Sequence, residues 1–174
     1  LKKVRVGMVG LGRLGMKHAE NIAFRVSGAE LAAVCALEND RVEAARRDWS
    51  VPRGYADFAG MLGDRELDAI LIASSSAAHC RQVEQALDAG FHVFCEKPLG
   101  VTLDECIQAE NAVTRHPDRT FMLGFMRRFD PSYRRAKKLI DEGYIGRPIL
   151  FRGYSVDPES AIEGAIHFAP SSGG

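Results

Sequence analysis

The 174-residue sequence has no excess of either charge: Lys plus Arg and Asp plus Glu both number 23, and the net charge is zero. A partner such as a nucleic acid demands clustered surplus cations to neutralise phosphates, so none is expected. Long hydrophobic runs are also missing. No apolar stretch approaches the roughly 18–20 residues of a membrane span. The opening Leu1-Lys2-Lys3-Val4 passes straight into an apolar run, with neither the h-region nor the cleavage site of a signal peptide. The four cysteines, Cys35, Cys80, Cys95 and Cys106, form no CxxC pair. Three lie inside apolar strand- or helix-like runs, as buried free thiols in a reducing compartment would. His18, His92 and His116 have no partner at metal-ligand spacing, so no metal site is indicated. No Gly-x-Ser-x-Gly elbow offers a nucleophile. The expectation is a soluble, cytoplasmic protein whose 46% hydrophobic residues suffice for a core.

What is present is a regular alternation. Residues 4–9, 30–37, 67–73, 91–95 and 121–124 read as strands, and ELAAVCAL at 30–37 has the unbroken apolar character of a strand covered on both faces. Helical spacing occupies residues 15–26, 40–49, 57–62, 78–89 and 131–142, with Gly28, Gly90 and Gly143 at or just past helix ends. Asp40 is the expected N-cap of the second helix. Thr102 starts another, with Glu105 in the capping-box position. Strands alternating with helices imply right-handed crossovers and a parallel sheet covered on both faces. After Gly124 the composition changes to the basic and aromatic FMRRFDPSYRRAKKLI of residues 125–140. The expected domains are therefore 1–124 and 125–174. The second would hold one helix and a strand at 148–154, too little to bury an independent core, and is expected to be the incomplete start of an α/β domain.

Gly10-Leu11-Gly12-Arg13-Leu14-Gly15 fits the GxGxxG pattern. Alone the pattern is weak, but here it follows a strand and opens a helix at the start of the chain. Gly10 would make the tight turn, Gly12 would let a pyrophosphate approach the backbone, and Gly15 would let the helix pack on the strand. The helix N-terminus, with Arg13 and Leu14, would face the anion. The expected fold is a Rossmann-type doubly wound sheet binding NAD or NADP. The acid that normally takes the ribose hydroxyls at the end of the second strand is replaced by Ala36. Either Glu38 reaches the ribose, or the pocket accepts a 2′-phosphate with Arg41 nearby; by itself Arg41 reads as a solvated charge at a helix start. The choice of cofactor stays open.

The strand at 91–95 ends in Glu96-Lys97-Pro98. Ligands of an open parallel sheet bind beyond the carboxyl ends of its strands, and an ammonium there can stabilise negative charge on a substrate hydroxyl as hydride leaves. Together with GLGRLG at 10–15 and Ser74-Ser75-Ser76-Ala77-Ala78-His79, the CEKPL run at 95–99 resembles the glucose–fructose oxidoreductase, inositol dehydrogenase and rhizopine catabolism family (Gfo/Idh/MocA). Gly124-Phe125-Met126-Arg127-Arg128-Phe129-Asp130 and Asp157-Pro158-Glu159-Ser160 resemble its inositol 2-dehydrogenase branch.

The resemblance implies NAD(P)-dependent oxidation of a ring secondary alcohol of a cyclic polyol or sugar to a ketone, by a protein expected to be a homo-oligomer when full length. It implies that Lys97 contacts the reacting hydroxyl and the cofactor, with Ser74, His79 and Glu96 on the cofactor side and Met126 and Arg127 at the substrate. His79 otherwise reads as a helix-start residue, Arg127 as a salt-bridged surface residue and Asp157 as either a hydroxyl acceptor or a turn residue. The family also places an Asp and a His about one helical turn apart just after a glycine pair. This sequence ends Ser171-Ser172-Gly173-Gly174, so the expectation is that the general base lies beyond it and that the chain binds cofactor without turnover. His167 precedes the glycine pair, lacks the Asp and reads as structural. The alternative function is a non-catalytic dinucleotide sensor, which would not require Lys97.

Overall fold

The computed structural model describes residues 2–154 and the single residues Val156, Glu159 and Ile166. They fall into two units, one up to Gly124 and one from Phe125. In the first, β1 (Val4–Val9), β2 (Ala29–Cys35), β3 (Arg53–Tyr55), β4 (Ala69–Ile72), β5 (His92–Cys95) and β6 (Phe121–Leu123) alternate with α1 (Arg13–Phe24), α2 (Asn39–Trp49), α3 (Phe58–Leu62), α4 (Ser76–Asp88) and α5 (Leu103–Arg115). All five pairings are parallel, and the strand order is β3-β2-β1-β4-β5-β6. That is the doubly wound order, in which the chain reverses direction across the sheet between β1 and β4 and opens a crevice at their carboxyl ends.

Period-two alternation sorts the strand residues onto two cores. Val6 and Met8 of β1 join Leu31 and Val34 of β2, with Ala19 and Ile22 of α1 and Val42 of α2. Val9, Cys35, Ile70, Ile72 and Cys95 point the other way, onto Val83 and Leu87 of α4 and Ala112 of α5. Every one of these side chains is below a tenth exposed. The capping box forms as its spacing predicts: Glu105 N–H donates to Thr102 Oγ1, and Thr102 N–H donates to Glu105 Oε2.

Three expectations change. The N-cap of α2 is Glu38, and Asp40 lies inside the first turn, where its charge still complements the helix dipole. Helices α1 and α4 start two residues earlier than their apolar spacing predicts, at Arg13 and Ser76, because a helix's first turn needs no buried side chain. In the second unit, α6 (Pro131–Asp141) forms, capped by Asp130, but the strand expected at 148–154 is not there: this segment carries no regular structure. Ile149, Leu150 and Phe151 are 95%, 78% and 83% exposed. An apolar run becomes a strand only when a neighbour takes up its N–H and C=O groups, and no described residue does so.

Candidate functional site

The glycines of the first turn meet different demands. Gly10 has φ +88°, and a Cβ there would lie 2.6 Å from the Ala73 carbonyl oxygen. A Cβ on Gly15 would lie 1.9 Å from the Gly10 carbonyl oxygen, so Gly15 is what lets α1 close on β1. Gly12 has ordinary extended dihedrals, φ −73° and ψ −174°, and a Cβ there would meet nothing within 4 Å. Neither backbone strain nor packing requires glycine at position 12; it leaves open space over the N-terminus of α1. That N-terminus has no side-chain cap and no acid in its first turn, and Arg13 and Leu14 beside it are exposed. Unpaired N–H groups under an open surface suit a pyrophosphate, so the residues present fit a dinucleotide.

At the end of β2, Ala36 is 7% exposed and belongs to the core. Glu38 is half exposed at the cap of α2. Arg41 is not simply a solvated charge: its Nη1 donates to the Leu11 carbonyl at 3.3 Å, and its Nη2 lies 3.7 Å from Glu38 Oε1. It thereby ties Glu38 to the glycine turn.

Ser74 and Lys97 follow β4 and β5 at the same carboxyl edge. The Ser74 hydroxyl donates to Gln82 Oε1. His79 is 2% exposed, with Nδ1 2.7 Å from the Pro98 carbonyl and Nε2 3.2 Å from the Ser74 carbonyl. Glu96 Oε1 accepts from His18 Nε2 at 2.9 Å, and Oε2 accepts from the Lys97 N–H at 3.2 Å. The Lys97 side chain is exposed, and no ion pair engages it among the described residues. Reading the sequence missed His18, which lies 78 residues from its partner. The available signal was its place three residues after Gly15, on the face of α1 turned toward the sheet.

In the second unit, Met126 and Arg127 form a 3₁₀ turn, Met126–Arg128. Arg127 is 3.7 Å from Asp130 and stacks over the Tyr133 ring at 5.4 Å. Asp157 and His167 lie outside the described residues. Among the described residues no group of His, Cys, Asp or Glu could hold a metal ion, and no helix is long and apolar enough to cross a membrane. Burial pushes the Cys35 thiol up to about 11 and that of Cys95 to about 12, so neither is a thiolate nucleophile at neutral pH.

Residues 4–125 match the family described as an oxidoreductase family with an NAD-binding Rossmann fold. Inositol 2-dehydrogenase of Salmonella typhimurium (strain LT2) is 36% identical over 151 residues, which are 86% of this chain and 45% of that protein. The scyllo-inositol 2-dehydrogenase (NAD(+)) of Bacillus subtilis (strain 168) is 37% identical over 155 residues, 89% of this chain and 45% of that protein. The crystal structure of scyllo-inositol dehydrogenase from Lactobacillus casei with bound NAD(H) and scyllo-inositol gives a TM-score of 0.91 at 41% identity, covering 97% of this chain and 49% of that one. The chain spans about half the length of these relatives. It belongs to the Gfo/Idh/MocA oxidoreductase family and is built on that family's NAD-binding Rossmann fold.

Proposed function

We propose that the chain is the dinucleotide-binding domain, with the start of a substrate domain, of an NAD(P)-dependent dehydrogenase that oxidises a ring secondary alcohol to a ketone. The substrate class is a cyclic polyol of the inositol type or a sugar, and the working protein is a cytoplasmic homo-oligomer. The observation that carries this reading is the open space at Gly12, set on the same sheet edge as the exposed Lys97. The inositol dehydrogenases among the relatives support the substrate class.

In this reading Gly10, Gly12 and Gly15, with the backbone at Arg13 and Leu14, seat the pyrophosphate, and Glu38 accepts from the ribose hydroxyls. The dinucleotide, when bound, supplies the hydride acceptor. Lys97 holds the reacting hydroxyl and stabilises its negative charge. Ser74, His79 and Glu96 shape the cofactor side, and Met126, Arg127 and Asp157 are proposed, on the family resemblance, as the residues that contact the substrate. Turnover belongs to a protein of the relatives' length, and the 174-residue chain binds dinucleotide without oxidising polyol.

The test is steady-state oxidation of myo- and scyllo-inositol by the longer protein carrying this chain, beside cofactor titration of the same preparation. Lys97→Met keeps the stem and its packing, so its expected effect is a kcat loss of about 10²–10³ with cofactor affinity retained. Near-parental turnover by the variant removes Lys97 from the chemistry. A parent that binds cofactor yet oxidises no cyclic polyol or sugar identifies a sensor instead.

A further inference from the structure

We propose that His18 and His79 are positioning residues that hold the Lys97 turn from its two sides. The inference rests on the role given to Lys97 above. On one side, both oxygens of the Glu96 carboxylate are engaged: Oε1 by His18 at 2.9 Å and Oε2 by the Lys97 backbone N–H at 3.2 Å. The Glu96 side chain is 12% exposed and that of His18 25%, so water screens the pair little. The His18 ring meets Phe94 edge-on, with centroids 5.8 Å apart. Space for the carboxylate is provided by Gly124, where a Cβ would stand 3.1 Å from Glu96 Oε1 and 3.0 Å from Phe94 Cζ.

On the other side, the Pro98 carbonyl is 2.7 Å from His79 Nδ1. The second ring nitrogen faces the Ser74 carbonyl at 3.2 Å. Both neighbours are acceptors, so a neutral ring can bond only one of them. The shorter contact places its proton on Nδ1, donating to Pro98.

The residues before and after Lys97 are thus pinned, while its ammonium has no ion-pair partner among the described residues. The aim of a free, long side chain is set by the backbone it leaves, and that backbone is held by two histidines from two different helices. His18 also lies on α1, whose first turn faces the pyrophosphate site, about 9 Å along the axis from Gly12 at 1.5 Å per residue. The helix that receives the phosphate therefore also braces the lysine.

The test uses the 174-residue chain and two probes, ADP-ribose and NADH, which differ by the nicotinamide half. His18→Leu is expected to bind ADP-ribose within about twofold of the parent but NADH about tenfold more weakly, because it frees Glu96 and the backbone of the turn on the cofactor side, which Lys97→Met leaves pinned. His18→Gln, whose amide can still donate to Glu96, should stay within about threefold for both. His79→Gln should show the NADH-selective loss, and circular dichroism reports whether it folds. If it does not, nitrogen-15 spectra of the parent ring decide: a proton on Nδ1 in slow exchange supports the clamp, and an unprotonated Nδ1 overturns it. A parent that binds NADH while His18→Leu binds it equally well overturns the inference alone. A folded parent that binds neither probe overturns the dinucleotide site, and the inference with it.

Discussion

A side chain at position 12 would enter open space, whereas one at position 15 would collide with the Gly10 carbonyl. The two substitutions should therefore separate binding from folding. Gly12→Val is expected to keep the circular dichroism spectrum of the parent and to weaken NADH by well over tenfold, because the branched side chain fills the pyrophosphate space. Gly15→Val should fail to fold stably. Parental NADH affinity in a folded Gly12→Val would make the turn purely structural. Position 38 is expected to set cofactor choice. Glu38→Ala removes an acceptor for the ribose hydroxyls and frees Arg41 for a 2′-phosphate, so the ratio of NAD to NADP affinity should fall about tenfold. An unchanged ratio in paired titrations would exclude Glu38 as the ribose ligand. The placement of the three glycines between β1 and α1, and of Lys97 just past β5, was legible because their spacing is local. The tie between Glu38 and the turn was not: it runs through Arg41, which bonds the Leu11 carbonyl and lies beside Glu38.

Arg5 on β1 and Asp68, the residue before β4, form a latch at the end of the sheet opposite the site. Asp68 accepts from the Arg5 backbone N–H at 2.9 Å and from its guanidinium Nε and Nη2 at 3.1 and 3.0 Å. The Arg5 side chain is the chief reason the Asp68 carboxyl is lowered from 3.8 to about 2, its backbone N–H the next. A carboxyl lowered on folding stabilises the fold above its unfolded pKa and loses that contribution as pH falls through its folded one. Asp68→Asn should therefore melt below the parent at pH 7, with the gap closing as the parent's own carboxyl protonates between about 3.8 and about 2. NADH affinity should not change, since the latch is remote from the carboxyl edge. A gap that persists at pH 2 would mean that packing, not the charge, is what the substitution removes. At this scale five of the six strands of the first unit were legible, because a strand covered on both faces needs an unbroken apolar run, which β3, only three half-buried residues, does not have. The same signal failed at 148–154, where the run is apolar but has no ladder to join.

The order β3-β2-β1-β4-β5-β6 brings the glycine turn, the Ser74 loop and the Lys97 turn to one edge of one sheet. That convergence was foreseeable from the alternation of strands and helices, because right-handed crossovers leave few other arrangements. What joins the three loops was not. His18 reaches Glu96 across 78 residues and His79 reaches Pro98 across 19, and no local pattern encodes contacts made only when the sheet assembles. The claim on which all of this depends is that this edge receives a dinucleotide. Calorimetric titration of the folded 174-residue chain with NADH tests it most directly, with Gly12→Val as the control. Saturable binding of one NADH per chain, lost in the variant, is the expected result. A chain that is folded by circular dichroism and takes up no NADH or NADPH, or a variant that binds as its parent does, would contradict it.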